Sequence, residues 1–273
     1  MNSVKIVAVH IADFSNYFHD LARFKGLDFF GFYFIELCKY FLSAILIWFL
    51  IYKVFWPFTK SRRIQNKDFL FSEIAREIFF SLSHLLIAVA ILIYPIKKYY
   101  LHTAIYYSTS QHGYLWFCTS FFFLILLHES FFYWSHYLLH TDFMYRSIHF
   151  VHHKSKNPSP FSSYCLHPVE SFLQIIWLLP VLILIPIHFY VLSAFLGAAL
   201  LVAFGGHLGV ELYPRSLTQS RWGKYLGSAT YHNIHHITEA HNLGLYFRFW
   251  DFWMGTDLTY TGNLPISHEA LSK

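Results

Sequence analysis

The chain has 273 residues, of which 56% are hydrophobic, 22% aromatic and only 13% charged, with a mean hydropathy of +0.40. A water-soluble domain of this length carries about 25% charged residues, so the composition argues against one and points to an integral, multi-pass membrane protein. The formal charge of +5 is small and spread out; it suits contact with anionic lipid and not with nucleic acid.

In chain order, MNSVKIVAVHIADFS is a short apolar run interrupted by His10 and Asp13 and does not read as a cleavable signal peptide. Residues 10–28 mix aromatics with Asp13, His19, Asp20, Arg23 and Lys25, the pattern of an interfacial segment or of a mobile terminus. Gly31 to Trp56 is long enough to cross a bilayer, which takes about 20 apolar residues, and Pro57 with KSRRIQNK closes it. A second span is expected from Ile74 to Tyr94, with Glu73, Arg76 and Glu77 at the interface. A third, Tyr114 to Trp134, runs on to deliver His136 and His140 just outside the membrane. Residues 168–206 are almost wholly apolar and allow two crossings, with IPIH at 185–188 as the turn. This hairpin returns the chain to the side it left, so every histidine-rich stretch lands on one face.

The fold class expected is therefore all-α: a polytopic membrane helical bundle of four to five spans with a histidine-rich helical cap. Lys60, Arg62, Arg63 and Lys67 lie on the histidine side, against Lys97 and Lys98 opposite, which places the cap in the cytoplasm by the positive-inside rule. No linker rich in Pro, Gly or Ser divides the chain. Residues 1–113 would form the interfacial segment and first two spans, 114–260 the catalytic region and 261–273 a tail.

Three boxes carry the chemistry: HYLLH (His136, His140), HFVHH (His149, His152, His153) and YHNIHH (His232, His235, His236). Residues i, i+3 and i+4 of a helix share a face, so each box aims its imidazoles together. Eight imidazoles exceed the four that satisfy a tetrahedral zinc and suit two metal ions, each with a position left for oxygen. His167, opening HPVE, is expected to complete the set, the alternative being a helix-start residue before Pro168. His207, set among Gly205, Gly206 and Gly209, is favoured as a ligand because glycines let backbones pack closely. Isolated His10, His19, His84, His102, His112, His188 and His268 are expected to be structural.

A ligating imidazole usually donates its other N–H to a carboxylate or carbonyl. Glu129 stands seven residues before His136, on the same helix face, and is expected to orient a box histidine or else to make an interhelical hydrogen bond. Glu170 and His241 are further supporting candidates, with Asp142, Glu211, Glu239 and Asp251 unranked behind them. Cys38, Cys118 and Cys165 are far apart and form neither a CxxC pair nor a haem-attachment site.

Imidazole accepts iron and zinc alike; the position beside apolar spans decides. A lipid tail or ring presented there has unactivated C–H bonds, and breaking them takes a redox metal and dioxygen. The chain has no GxGxxG loop and no haem motif, so two electrons must come from a separate donor protein.

From Glu129 to Thr256 the order E-x6-H-x3-H, H-x2-HH, HPVE, GHLG, YHNIHH and LGLYFRFWDFWMGT resembles the fatty acid hydroxylase/sterol desaturase superfamily. NPSPFSSYCLHPVESFLQ is similar to sterol desaturases of the lathosterol oxidase type. The resemblance implies a diiron site held by the eight box histidines, with His167 and His207 matching further family histidines, and cytochrome b5 or a ferredoxin as donor. It also implies a lipid substrate, and residence in the endoplasmic reticulum if the chain is eukaryotic or the inner membrane if bacterial. An ether-lipid (alkylglycerol-type) monooxygenase would share this ligand set. A histidine-rich metal transporter or zinc site is the reading from another class; transport would spread polar groups through several spans at mid-membrane.

Overall fold

The structure is a computed structural model that describes residues 28–65, 70–93, 102–218 and 220–258. The expected N-terminal interfacial segment (but for Asp28), Lys67, Tyr94, Lys97, Lys98 and the tail 261–273 lie outside the described residues. Among the described residues four helices are long and apolar enough to cross a membrane: Phe29–Val54, Phe71–Ile93, Gly113–Leu139 and Phe189–Gly206. The labelled elements are α1 (Phe29–Phe49), α2 (Phe71–Ala88), β1 (Ile105–Tyr106), α3 (Gly113–Leu139), α4 (Pro168–Ile176), α5 (Leu178–Leu184), β2 (Ile187–His188), α6 (Phe189–Gly206), α7 (Ala229–Thr238) and α8 (Phe249–Met254). α1 and α2 each continue into a π-helical turn, Leu50–Val54 and Val89–Ile93.

The long helices present Phe30, Phe34, Leu115, Phe122 and Leu201 outward and bury Glu77, Ser81, His84, Ser120 and Glu129. Apolar groups outside and polar groups inside suit a lipid solvent, in which an unpartnered polar group is costly. Between the helices, Leu124, Trp177, Leu178, Ile187 and Phe195 form one buried cluster, and Tyr40, Ala44, Leu85 and Phe204 form another.

The apolar stretch 168–206 is a hairpin, as its composition suggests. α4 and α5 together run for 17 residues, about 26 Å at ~1.5 Å per residue, short of a full span. The turn falls at IPIH, where Ile105 pairs with Ile187 and Tyr106 with His188 in a parallel two-residue ladder. Trp116, in the first turn of α3, donates its Nε1–H to the Pro186 carbonyl at 2.6 Å. The hairpin turn is thereby tied to the N-terminal end of α3, and α6 comes back to its C-terminal end.

At that second end the loop after α1 meets the segment after α6. Ile64 N–H donates to the Gly209 carbonyl at 2.9 Å and Glu211 N–H to the Arg62 carbonyl at 3.0 Å. Glu77, at the start of α2, does not face solvent. It is buried because the segment following the second histidine box folds over the start of α2. Its carboxylate accepts from Ser155 Oγ at 2.7 Å and Ser159 Oγ at 2.6 Å.

Candidate metal centre

His136 occupies the last turn of α3 and His140 caps it, so one helical turn separates the two rings on one face. The chain then makes a short helix, Asp142–Met144, a π-helical turn, Tyr145–His149, and a helical turn, Phe150–His153. The extra residue of a π turn re-aims the side chains that follow. α7 starts at Ser228, whose Oγ accepts from Tyr231 N–H at 3.2 Å, and stops at Glu239, which adopts a left-handed φ of 63°.

The histidines converge as two groups: His136, His140, His149, His153 and His235, and then His152, His207, His232 and His236. Within each, one ring nitrogen per residue lies within 4.8 Å of all the others. HYLLH aims both its rings at one group as its spacing suggested, but the other two boxes divide. Successive residues turn by ~100° about a helix axis, so i and i+4 stay within ~40° while i+3 diverges. HFVHH sends His149 and His153 to the first group and His152 to the second; HNIHH sends His232 and His236 to the second and His235 to the first. The second and third boxes thus feed both groups, whereas HYLLH feeds the first alone; the groups touch, the His153 and His236 ring centroids being 4.9 Å apart.

Hydrogen bonds fix which nitrogen faces inward. Nδ1 of His136 lies 2.8 Å from the Leu243 carbonyl, that of His235 2.7 Å from the His241 carbonyl, and that of His207 2.7 Å from the Ala203 carbonyl. His152 Nδ1 is 3.3 Å from the Cys165 carbonyl, and His149 Nδ1 is 2.8 Å from Glu170 Oε1. A carbonyl only accepts, so in the first four rings Nδ1 carries the proton and Nε2 keeps its lone pair, and Glu170 does the same for His149 when it is ionised.

Those lone pairs face one another. In the first group Nε2 of His149 is 3.0 Å from that of His136 and 3.1 Å from that of His153, and His140 and His136 are 3.3 Å apart. In the second the Nε2 separations are 3.1 Å (His232–His207), 3.1 Å (His236–His232) and 3.4 Å (His207–His152). Two nitrogens each ~2.1 Å from one cation stand ~3.0 Å apart at a right angle and ~3.4 Å apart at the tetrahedral angle. Nitrogens with nothing to share but lone pairs repel at these distances; a cation between them removes the conflict. Nε2 of His235 is buried without a hydrogen-bond partner, as a nitrogen reserved for a metal would be. Burial, and then their mutual repulsion, holds the imidazoles of His149, His153, His232 and His236 far below the ordinary histidine range, and burial alone brings His207 to about 4. Neutral rings are what a divalent cation needs as ligands.

His167 joins neither group. It is the N-cap of α4, its Nδ1 accepting from Val169 N–H at 3.2 Å, the helix-start role that Pro168 permits. Glu129 touches no imidazole. Its carboxylate accepts from the backbone N–H of Tyr246 at 2.6 Å and of Leu245 and Phe247 at 3.3 Å. It holds the loop that presents the Leu243 carbonyl to His136, one step further from the nitrogens than its spacing implied. Asp251 grips the same loop through Leu243 N–H at 2.8 Å and Gly244 N–H at 3.0 Å, and accepts from the Tyr231 hydroxyl. Glu170 bonds a ring directly; His241 supports His235 through its backbone carbonyl.

Asp142 is exposed. Glu211 accepts from Thr230 N–H at 3.0 Å at the entry to α7, and Glu239 pairs with Lys156 beyond its exit. His84 packs at a tilt against Tyr164, with ring centroids 4.3 Å apart, and His188 caps α6; neither is in a group. The carbonyls of Ala203, Cys165, His241 and Leu243 were beyond sequence reading, because every residue has one. Glu77 and the Gln65 amide that donates to Asn233 Oδ1 at 2.8 Å had a readable signal, a polar side chain beside a box or at the mouth of a span.

Residues 121–256 match the fatty acid hydroxylase family model, a range that includes both nitrogen groups. Human lathosterol oxidase is 26% identical over 213 residues, covering 75% of this chain and 69% of its own. C-4 methylsterol oxidase of Schizosaccharomyces pombe is 30% identical over 172 residues, 58% of this chain and 54% of its own. A very-long-chain aldehyde decarbonylase of Oryza sativa subsp. indica is 28% identical over 155 residues, 55% of this chain and 56% of its own. The chain thus spans from about half to about two thirds of the length of these relatives. No solved structure matches. With the family's motifs gathered into two imidazole groups at the ends of apolar spans, the chain belongs to the fatty acid hydroxylase/sterol desaturase superfamily and is close to its sterol desaturases.

Proposed function

We propose that the protein is a membrane-bound non-haem diiron oxygenase that hydroxylates or desaturates a lipid, sterol-like or fatty-acyl, with dioxygen and two electrons from a separate donor of the cytochrome b5 or ferredoxin type. One observation carries the reading: two touching groups of imidazoles whose Nε2 atoms converge at coordination-sphere separations. His136, His140, His149, His153 and His235 would hold one iron, and His152, His207, His232 and His236 the other. Such a pair, when bound, supplies the redox chemistry with dioxygen that an unactivated C–H bond requires, which zinc lacks.

The chain's own residues do the rest. The carbonyls of Ala203, Cys165, His241 and Leu243 and the Glu170 carboxylate hold the Nδ1 protons and keep each ring turned inward. Among the described residues neither group contains a carboxylate, so the ligand sets are neutral. Burial of eight of the nine rings excludes bulk water. The groups sit at the ends of α3 and α6, so the carbon brought to them belongs to a molecule resident in the bilayer.

Two of the three relatives above are named for sterols and one for aldehydes, which favours a sterol-like substrate over an ether lipid. The basic loop after α1 supports a cytoplasmic cap, and the sterol relatives support the endoplasmic reticulum. Metal analysis of purified protein, with lipid extracts compared by mass spectrometry with and without the gene, tests the proposal. About two irons per chain and a lipid altered by one hydroxyl or one double bond are expected. A single zinc per chain and an unchanged lipid profile would overturn it.

A further inference from the structure

The cap carries a basic and aromatic surface that the two nitrogen groups do not use. Its first strip begins in the last turn of the first span and runs on past it: Lys53, Phe55, Phe58, Lys60, Arg62 and Arg63. Its second strip lies between His207 and the third box: Leu212, Tyr213, Arg215, Arg221, Trp222, Lys224 and Tyr225. The strips are joined, because the Arg62 guanidinium donates to the Leu212 and Tyr213 carbonyls, both at 3.1 Å, and Arg63 forms an isolated bridge with Val210. The second strip is therefore held at the level where α1 leaves the membrane.

Across both strips, among the described residues, the only carboxylate is Glu211, and it is buried and bonded to backbone N–H groups. Lys53, Lys60, Arg215, Arg221 and Lys224 are exposed. Large apolar side chains stand between the cations with unusual exposure, 76% for Phe58 and 65% for Trp222. Arg221 lies over the Trp222 ring at 4.9 Å and Lys224 over Tyr225 at 4.9 Å. Cations interleaved with exposed aromatic rings, beside the end of a span, match the boundary between anionic headgroups and acyl chains. A water-borne acidic protein would meet the charges, but the place of Phe58 just after the end of a span suits acyl chains better.

We propose that this surface binds the headgroups of anionic phospholipids and so fastens the second strip, and with it the entry to α7, to the bilayer. The occupant's chemistry is a phosphodiester carrying net negative charge, with Trp222 and Phe58 seated among the acyl chains below it. Since Leu226 leads directly through Gly227 and Ser228 into the helix of the third box, lipid held here steadies the frame of His232, His235 and His236 from outside.

The test uses the full-length protein in nanodiscs of phosphatidylcholine alone or with about a third phosphatidylglycerol, read by native mass spectrometry of retained lipid and by thermal melting. Wild type should retain phosphatidylglycerol over phosphatidylcholine and melt at higher temperature in the mixed discs. R215Q/R221Q/K224Q should lower that preference by about tenfold or more, with W222S lowering it less. Equal retention of the two lipids by wild type overturns the proposal without needing any variant. If the triple variant keeps its lipid preference but is reduced more slowly by a soluble acidic electron donor, the surface is a protein-docking site and the lipid assignment fails.

Discussion

The two nitrogen groups share the second and third boxes yet are supported in different ways. The four-nitrogen group is fixed from nearby: His207 bonds the Ala203 carbonyl of its own helix, and His152 bonds Cys165 on the loop that follows it. The five-nitrogen group also draws on distant chain, with His149 bonded to Glu170 of α4 and His136 to Leu243. His136 and His235 take their orientation from carbonyls of the loop at 241–243, and that loop is held by Glu129 of α3 and Asp251 of α8. One group is thus set by a carbonyl of its own helix and one of the loop after the second box, and the other in large part by a loop that two buried carboxylates hold without touching an imidazole. Damage to the first should need a ligand change; the second should be breakable from a distance.

The largest effect belongs to the ligands. His152→Ala should abolish product formation and strip metal from the four-nitrogen group, leaving three nitrogens. His153→Ala, the adjacent residue, should lose activity but retain more metal, because four nitrogens remain in its group. Metal per chain and turnover, measured on both variants, decide this; equal metal loss would mean that the difference between five and four nitrogens has no consequence. Next comes Gly244→Ala. A Cβ there would stand 2.3 Å from the Phe247 carbonyl oxygen, 2.9 Å from Glu129 Oε1 and 3.0 Å from Asp251 Oδ2, so the loop must move and take the Leu243 carbonyl from His136. Affinity of the five-nitrogen group should fall by about 10–100-fold, the range for lost supporting partners, and Glu129→Gln should fall in the same direction by less. If either variant released both metals together, the separate support of the two groups would be disproved.

Much of this was legible in the sequence, for reasons specific residues show. The spans were readable because lipid demands about 20 apolar residues in a row, and the hairpin turn because IPIH interrupts such a run. The boxes were readable because imidazoles at helical spacing are rare by chance. Their division was not: HFVHH gives no sign of which group receives His152, since that depends on where α7 packs. HPVE suits a cap and a ligand equally, and no sequence pattern shows the bond that the His167 ring makes to Val169 N–H. Glu129 was correctly expected to face inward, but what it meets is a loop more than 100 residues on, which no local pattern encodes.

A smaller effect should come from Glu77, which supports neither group alone. It binds Ser155 and Ser159, just beyond His152 and His153, one ligand from each group. Glu77→Gln keeps the shape, but its amide NH2 replaces one accepting oxygen and one hydroxyl loses its acceptor. A net loss of about 1 kcal/mol per hydrogen bond should lower the melting temperature by a few degrees and weaken both metals to a similar degree. Selective loss from one group would mean that the 155–159 loop steers a single ring.

His167→Ala should do least. The ring offers only an N-cap acceptor to Val169 N–H, and loss of a cap costs about 1 kcal/mol, with metal content unchanged. His167→Asn or His167→Ser would restore the cap, since both accept from the same N–H, and neither is a good ligand for iron. Thermal melting and metal analysis on the three variants therefore separate the two roles that HPVE allows. A cap predicts that Asn and Ser rescue stability in full and that metal never changes. A ligand predicts metal loss in all three, with no rescue by the two good caps.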